Sequence, residues 1–542
     1  MSTCAYDCSN QPSSVPSNPD ITGIGVIVGY VGNAGIVVCI IVLFYLAAYD
    51  PTEDPFRSAN DRNHGIDSIP FRPNPVDIIL RDWGRRVKSM FGFGRKSPAL
   101  VDDTEWDSLA NTEPSHLKEA CIKCVQCMSD IQILTGLSIL LSGYANLKCG
   151  LSAYHWQVLV DIAWFANLTH LSCLTFLRNY LYNKPGEKAW RLFAMGLVAV
   201  LLVVAMFPTN DFLWMNPTKT NTEQQPSDYA ICSFHRIREP DIDLLSSFVT
   251  SFLLIVLGFF SRVVKLHKIL SVSIFGRARA AVSTWMRRWI LKGYKKLHIG
   301  DSTTSLRRAI IYQPLFALFL LVRLALDFWT SMFIEVWWLV AGILVGINRL
   351  KSVLGLDNND EDSQWTFGQI VSALLLAAPI MSISTYLIES YTGTRTKDKR
   401  KFALRSAETL VASRASTLPL SEKKESEPPP RKNQEDHPNR DYYRDAPWFE
   451  TLVLFITLSI IFLTIWIIEQ PTFYTRFIDL ILLANPIGYQ ILAVVPYILL
   501  SWKMEHLQLR FRWSARTRNW MHGLFFLLLV LCTVGAFLIL AI

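Results

Sequence analysis

Residues 21–48 read ITGIGVIVGYVGNAGIVVCIIVLFYLAA, a stretch without one charged side chain. A helix of about 20 apolar residues spans a bilayer core, where backbone groups must be satisfied internally. This run is long enough to cross, and it sets the reading of the rest of the chain. Comparable apolar runs follow at 129–147, 157–177, 192–208, 244–260, 309–333, 369–388, 448–468, 477–502 and 520–542. They predict an all-α fold: a polytopic helical membrane protein of about ten transmembrane helices. Little period-2 alternation runs through these segments, which argues against a β-barrel. Composition agrees. Of 542 residues, 51% are hydrophobic and only 18% charged, against about 25% charged in a soluble domain. A collagen, a disulfide-dense miniprotein and a globally disordered chain are excluded on the same ground.

Lys and Arg in the loops set the orientation. Of the 53, 45 fall in 49–128, 178–191, 261–308, 391–447 and 503–518, and seven in the alternate loops. Arg323 lies inside a span. The amino terminus is therefore expected outside, with the basic loops inside. The first run spans rather than signals cleavage, because no basic region precedes it. The run 309–347 is the weak point. As one helix of 39 residues it would be about 58 Å long, nearly twice the hydrocarbon thickness. The expectation is one pass at 309–333 followed by an interfacial or re-entrant piece, Glu335 to Ile347. Two passes would put the basic linker 391–447 outside.

The parts divide into an outer tail (1–20), a first helix (21–48) and a Pro-containing cytoplasmic segment (49–128). The main bundle (129–390) follows, then the linker 391–447 and a three-helix tail (448–542). The linker, with its run Pro428-Pro429-Pro430, is too polar to bury a core and reads as disordered. Residues 269–299 read as a cytoplasmic amphipathic basic helix. Phe275, Ala278, Val282, Trp285, Met286 and Trp289 share one face. Arg277, Arg287, Arg288, Lys292 and Lys295 share the other, while Arg279 and Lys296 spoil the division. Such a helix lies on an anionic leaflet or packs on other cytoplasmic loops. The partners expected are the bilayer and its anionic lipids; no nucleic acid is expected.

Charges at membrane depth are costly and face the bundle interior or water. Arg323, Asp327, Ser331 and Glu335 recur every four residues, so one helix face would carry all four and Arg323 would pair with Asp327. They line either a path for an ion, proton or solute, or a buried ion pair that fixes packing. In 157–177, Asp161 and His170 are nine residues apart and face opposite sides of a helix, so each needs a partner from elsewhere. Asp479 and the Asn485-Pro486 and Pro496 breaks mark the ninth span, where proline frees backbone carbonyls. Gly25 with Gly29, and Gly342 with Gly346, allow close helix contact.

Ten cysteines give a separate signal. Cys4, Cys8, Cys149 and Cys232 fall on the expected outer side, where disulfides form. Three pairings are possible, and Cys149 with Cys232 is favoured. Cys121, Cys124 and Cys127 at the inner mouth of the second span are palmitoylation candidates, ordinary thiols or an incomplete metal set. No metal site and no cofactor is expected, and no Walker loop, HExxH, GxSxG elbow or CxxCH occurs.

The run SDIQILTGLSILLSGYANLKCGLSAYHWQVLVDIAWFANLTHLSCLTFLRNYLY at 129–182, with the RLALD stretch at Arg323, resembles a family of multi-pass proteins common in filamentous ascomycete fungi. The resemblance implies a fungal source and the membrane fold. It carries no functional residue with it.

The sequence leaves three function classes open. A plasma-membrane or secretory-pathway protein that senses or translocates a small solute or ion comes first. A membrane-embedded enzyme acting on a lipid or terpenoid, with Asp161, His170, Asp327 and Glu335 as acid–base groups, is the second. The third is a membrane scaffold or signalling protein.

Overall fold

A computed structural model describes residues 6–10, 12–56, 73–90, 116–215, 224–235, 242–271, 276–297, 313–355, 365–377, 381, 384–385, 388, 442–469, 494–501, 520–521 and 523–531. These are helical, with one isolated bridge between Ser152 and Tyr229. The main helices are α1 (Ile24–Ala47), α2 (Pro75–Met90), α3 (His116–Asn146), α4 (Ala153–Phe176), α5 (Pro185–Ala205), α6 (Ile242–Leu266), α7 (Gly276–Leu297), α8 (Gln313–Thr330), α9 (Met332–Leu354), α10 (Phe367–Leu374) and α11 (Pro447–Glu469). Six segments among the described residues are long and apolar enough to cross a membrane: Pro19–Ala47, Lys118–Cys149, Ala153–Phe176, Pro185–Asp211, Gln313–Thr330 and Met332–Leu354. The expected runs 244–260 and 448–468 are helical in α6 and α11. The runs 369–388, 477–502 and 520–542 are described only in part, and the linker 391–447 lies almost wholly outside the described residues.

α4 is the centre of the bundle. Every residue from Ala153 to Leu174 is buried, the pattern of a helix enclosed on all sides. Its start is fixed by Ser152, whose hydroxyl accepts from the His155 amide at 3.2 Å and satisfies one orphan N–H of the first turn. Gly150 precedes it at φ 89°, a left-handed turn that a side chain would strain.

Contacts fix the relative directions. Gly143 faces Leu159 and Gly136 faces Ala166, so α3 and α4 are antiparallel. Arg349, Gly346 and Gly342 meet Asp161, Phe165 and Leu168 in turn, so α9 also runs against α4. Ser251 reaches Arg349 while Arg262 reaches Glu335, so α6 runs against α9. The pairs Asp130–Arg191 and Tyr144–Leu201 make α3 and α5 parallel. Gly25, Gly29 and Gly32 face Gln369, Ser372 and Leu376, so α1 and α10 are parallel. Tyr45, near the end of α1, and the first amides of α9 meet at Asp77. Taken in chain order, α1, α3, α4, α5, α6, α9 and α10 alternate in direction.

This corrects the reading of 309–347. Lys265, at the end of α6, and Glu335, at the start of α9, sit at the same end of the bundle. The stretch is not one helix over 309–333: α8 and α9, a continuous helix of 23 residues, are each long and apolar enough to cross a membrane. Nor is Glu335 to Ile347 an interfacial piece. The cause is Ser331, which leaves helical geometry (φ −73°, ψ 153°) and caps α9 by accepting from the Ile334 amide. α8 packs in a second core. There Phe316, Leu320 and Leu324 meet Val76 and Ile79 of α2, Tyr442, and Trp448, Phe449 and Leu452 of α11.

The expected glycine contacts form. A Cβ on Gly29 would stand 2.5 Å from the Ser372 carbonyl oxygen, whereas one on Gly35 would meet nothing within 4 Å. Gly29→Leu should therefore abolish the monodisperse peak of the detergent-solubilised protein in size-exclusion chromatography, and Gly35→Leu should leave it intact.

Candidate intramembrane polar sites

Eight residues into α4, Asp161 is shut off from the surface: it is 1% exposed. Its charge is answered by Arg349 of α9, with Nη2 3.3 Å from Oδ1. Gln157, one turn back, donates to Oδ2 at 3.1 Å. Arg349 also donates to Ser251 of α6 at 3.1 Å and lies over the Trp164 ring at 5.7 Å. One guanidinium thus ties α4, α6 and α9 together. Arg349 follows the apolar run 309–347, and α9 continues to Leu354 and so holds it within the helix.

The other end of α9 carries a second cluster. Glu335 is buried and pairs with Arg262 (Nη2 to Oε2, 2.8 Å) and with Lys265, both from α6. Lys265 also donates to the Trp329 carbonyl at 3.4 Å. Buried charge is tolerated only when paired and hydrogen-bonded, and both clusters meet that condition between different helices.

The expected ladder does not form as one face. Ser331 divides it, so Arg323 and Asp327 belong to α8 and Glu335 to α9. Arg323 Nε approaches Asp327 Oδ2 at 4.0 Å, with the guanidinium 5.5 Å above the Tyr443 ring. Asp327 is held by the Tyr443 hydroxyl, which donates at 2.7 Å. Asn74 donates to the Asp327 carbonyl at 2.8 Å. These residues therefore pin α8 to the segments before α2 and α11, away from Glu335.

His170 is fully buried on α4 and finds no side-chain partner. Asp161, committed to Arg349, does not reach it, so the two form no acid–base couple. Asn167 on the same helix, and Gln132 on α3, are also buried with no hydrogen-bond partner for either end of the amide. Asp479 lies outside the described residues.

The favoured pairing of Cys149 with Cys232 is corrected. Cys232 bonds Cys8, with Cα atoms 5.8 Å apart. The tail reaches that far because it folds back on the loop before Cys232, where Ser227 donates to the Pro12 carbonyl at 2.7 Å. Cys149 is disulfide-bonded too; Cys4 lies outside the described residues. Of the inner trio, Cys124 is buried, and Cys121 and Cys127 are half-buried. No group of three His, Cys, Asp or Glu fit to hold a metal occurs among the described residues.

The basic helix forms over Gly276–Leu297. Met286 packs toward the second core, but Val282, Trp285 and Trp289 are 54%, 60% and 62% exposed. The apolar stripe is thus not consumed by packing on other loops.

Asp77 had no signal in the sequence. It lies on the amphipathic α2, outside the spans, yet is buried and accepts from the Met332 and Phe333 amides at 2.9 and 3.2 Å. Burial pushes its carboxyl up to about 6, against the pull of those amides. A folded value above the unfolded one means the folded state holds the proton more tightly. The resulting stability is complete below the unfolded value near 4 and is lost as pH rises through 6. The thermal midpoint should fall between pH 4 and 6.5, and Asp77→Asn should flatten that slope.

No family model, no curated protein and no solved structure matches the chain.

Proposed function

We propose that this is a membrane scaffold or signalling protein of the plasma membrane or a secretory-pathway membrane, with its amino terminus outside. The observation that carries the reading is the state of the charges at depth. Asp161, Glu335 and Asp327 do not converge on a wet path. Each is taken up by partners from other elements: Arg349, the Arg262–Lys265 pair, and Tyr443. Among the described residues these charges hold helices in register and do not line a shared route for a solute.

Orientation is supported by two independent features. The Cys8–Cys232 disulfide lies at the end of the bundle where α4 begins, as expected of an oxidising compartment. The basic loops lie at the other end. A chain with ten spans would then also end outside. The exposed Val282, Trp285 and Trp289, flanked by Arg277, Arg288 and Lys292, suit an anionic inner leaflet, and the linker 391–447 suits recruitment of a partner.

The test has two arms. Protein in liposomes should pass no ion or metabolite above the level of empty liposomes. In cells, deleting 391–447 should remove the set of proximity-labelled neighbours while leaving abundance and surface delivery unchanged. Selective flux that disappears in an Asp161 variant would overturn the scaffold reading in favour of transport. That rival draws on one observation, the unpartnered amides of Asn167 and Gln132.

A further inference from the structure

Between α4, α6 and α9 lies a cavity lined by Trp164, Asn167 and Ser172 of α4, Gly258 and Arg262 of α6, and Trp338 of α9. Its free space, about 10 Å³ for the centre of a small occupant, corresponds to one water-sized sphere. Two of its walls carry hydrogen-bonding atoms with no protein partner. Asn167, 1% exposed, has neither Nδ2 nor Oδ1 satisfied, and Arg262, 5% exposed, has Nε unsatisfied. Leaving such groups unpaired in a low-dielectric interior is costly, and the two N–H donors, Arg262 Nε and Asn167 Nδ2, call for an occupant that accepts hydrogen bonds.

Charge narrows the choice. Arg262 and Lys265 share Glu335 as their one direct ion-pair partner, with Asp77 acting on Lys265 only at longer range, so cations outnumber carboxylates in direct contact beside the cavity. Uncompensated charge is what a membrane interior tolerates least. We infer that the cavity is a binding site for one small monovalent anion of the halide class, held by Arg262 Nε–H and the Asn167 amide N–H. The occupant takes the place of a second carboxylate and locks α6 and α9 onto the central helix. The apolar walls, Trp164 and Trp338, exclude larger hydrated anions such as sulfate.

This site stands apart from the scaffold reading and is tested separately. The thermal midpoint of the purified full-length protein is measured at constant ionic strength with sodium chloride or bromide replacing gluconate or sulfate. Chloride and bromide should raise it saturably, and sulfate should not. Asn167→Leu fills the cavity without touching the ion pair, and should abolish the halide-dependent rise. Asn167→Ser, which keeps a donor, should retain part of it. Bromide should further give an anomalous-scattering peak beside Arg262. A midpoint indifferent to halide, or a rise that persists unchanged in Asn167→Leu, would overturn the assignment and leave a single bridging water as the occupant.

Discussion

Asp161→Leu should lower stability by about 3–5 kcal/mol, because it strands the Arg349 guanidinium in the bundle interior. Arg349→Met should cost a similar amount, since it strands the Asp161 carboxylate. The double variant should recover most of either loss, as an apolar pair of similar volume does not carry the desolvation penalty. The geometry makes the pair unusually consequential. Arg349 also meets Ser251 and Trp164, so its loss loosens α6 as well as α4. The measurement is the thermal midpoint of all three variants in one detergent, with flux as a second readout. A double variant no more stable than the worse single one would show that the residues act through separate contacts and not through their charges.

The membrane class was legible because it rests on run length and composition, which survive any error in helix boundaries. Sidedness is the proposal made above from the large asymmetry of Lys and Arg, and it too rests on counts and not on helix boundaries. What failed was local. A spacing of four places Arg323, Asp327, Ser331 and Glu335 on one face only if the helix continues, and a serine in mid-run is a weak stop signal by itself. Its capping role becomes decisive once the buried Asp77, more than 250 residues earlier in the chain, supplies a second acceptor for the freed amides. No local pattern announces such an acceptor.

The same limit explains the sites. Asp161 was visible as a charge at depth, and its need for a partner followed from the cost of burial. The partner was not visible, because Arg349 sits at the far end of an apolar run and reads as loop. Arg262 and Lys265 likewise read as members of a basic cytoplasmic loop, although they lie in the last two turns of α6. Asn167 is in the sequence one polar residue among several in its run. Its lack of a partner is a property of three helices, not of one. The Gly25–Gly29 and Gly342–Gly346 contacts were legible because small residues four apart can serve only one packing purpose well. The disulfide was legible as a set of four cysteines, and the pairing was not, since that depends on where the tail folds.

Glu335→Leu should be the most damaging single substitution in the bundle, exceeding Asp161→Leu. Glu335 is the one carboxylate shared by two cations, Arg262 and Lys265, which approach it from one helix at a spacing of three. Removing it leaves both on the same face of α6 with like charges close together. Lysine relieves its share by giving up a proton, but arginine stays charged at any accessible pH. The loss should therefore exceed the roughly 3–5 kcal/mol of a single stranded charge, enough to prevent accumulation of folded protein in a domain whose net stability is about 5–15 kcal/mol. Glu335→Gln, which still accepts a hydrogen bond, should be milder. Adding Arg262→Met to Glu335→Leu should restore expression substantially, and adding Lys265→Met instead should restore less, because only the guanidinium has no neutral form to fall back on. Folded yield by fluorescence-detected chromatography orders the variants. Equal rescue by the two methionines would mean that packing volume at α6, not charge, decides the outcome.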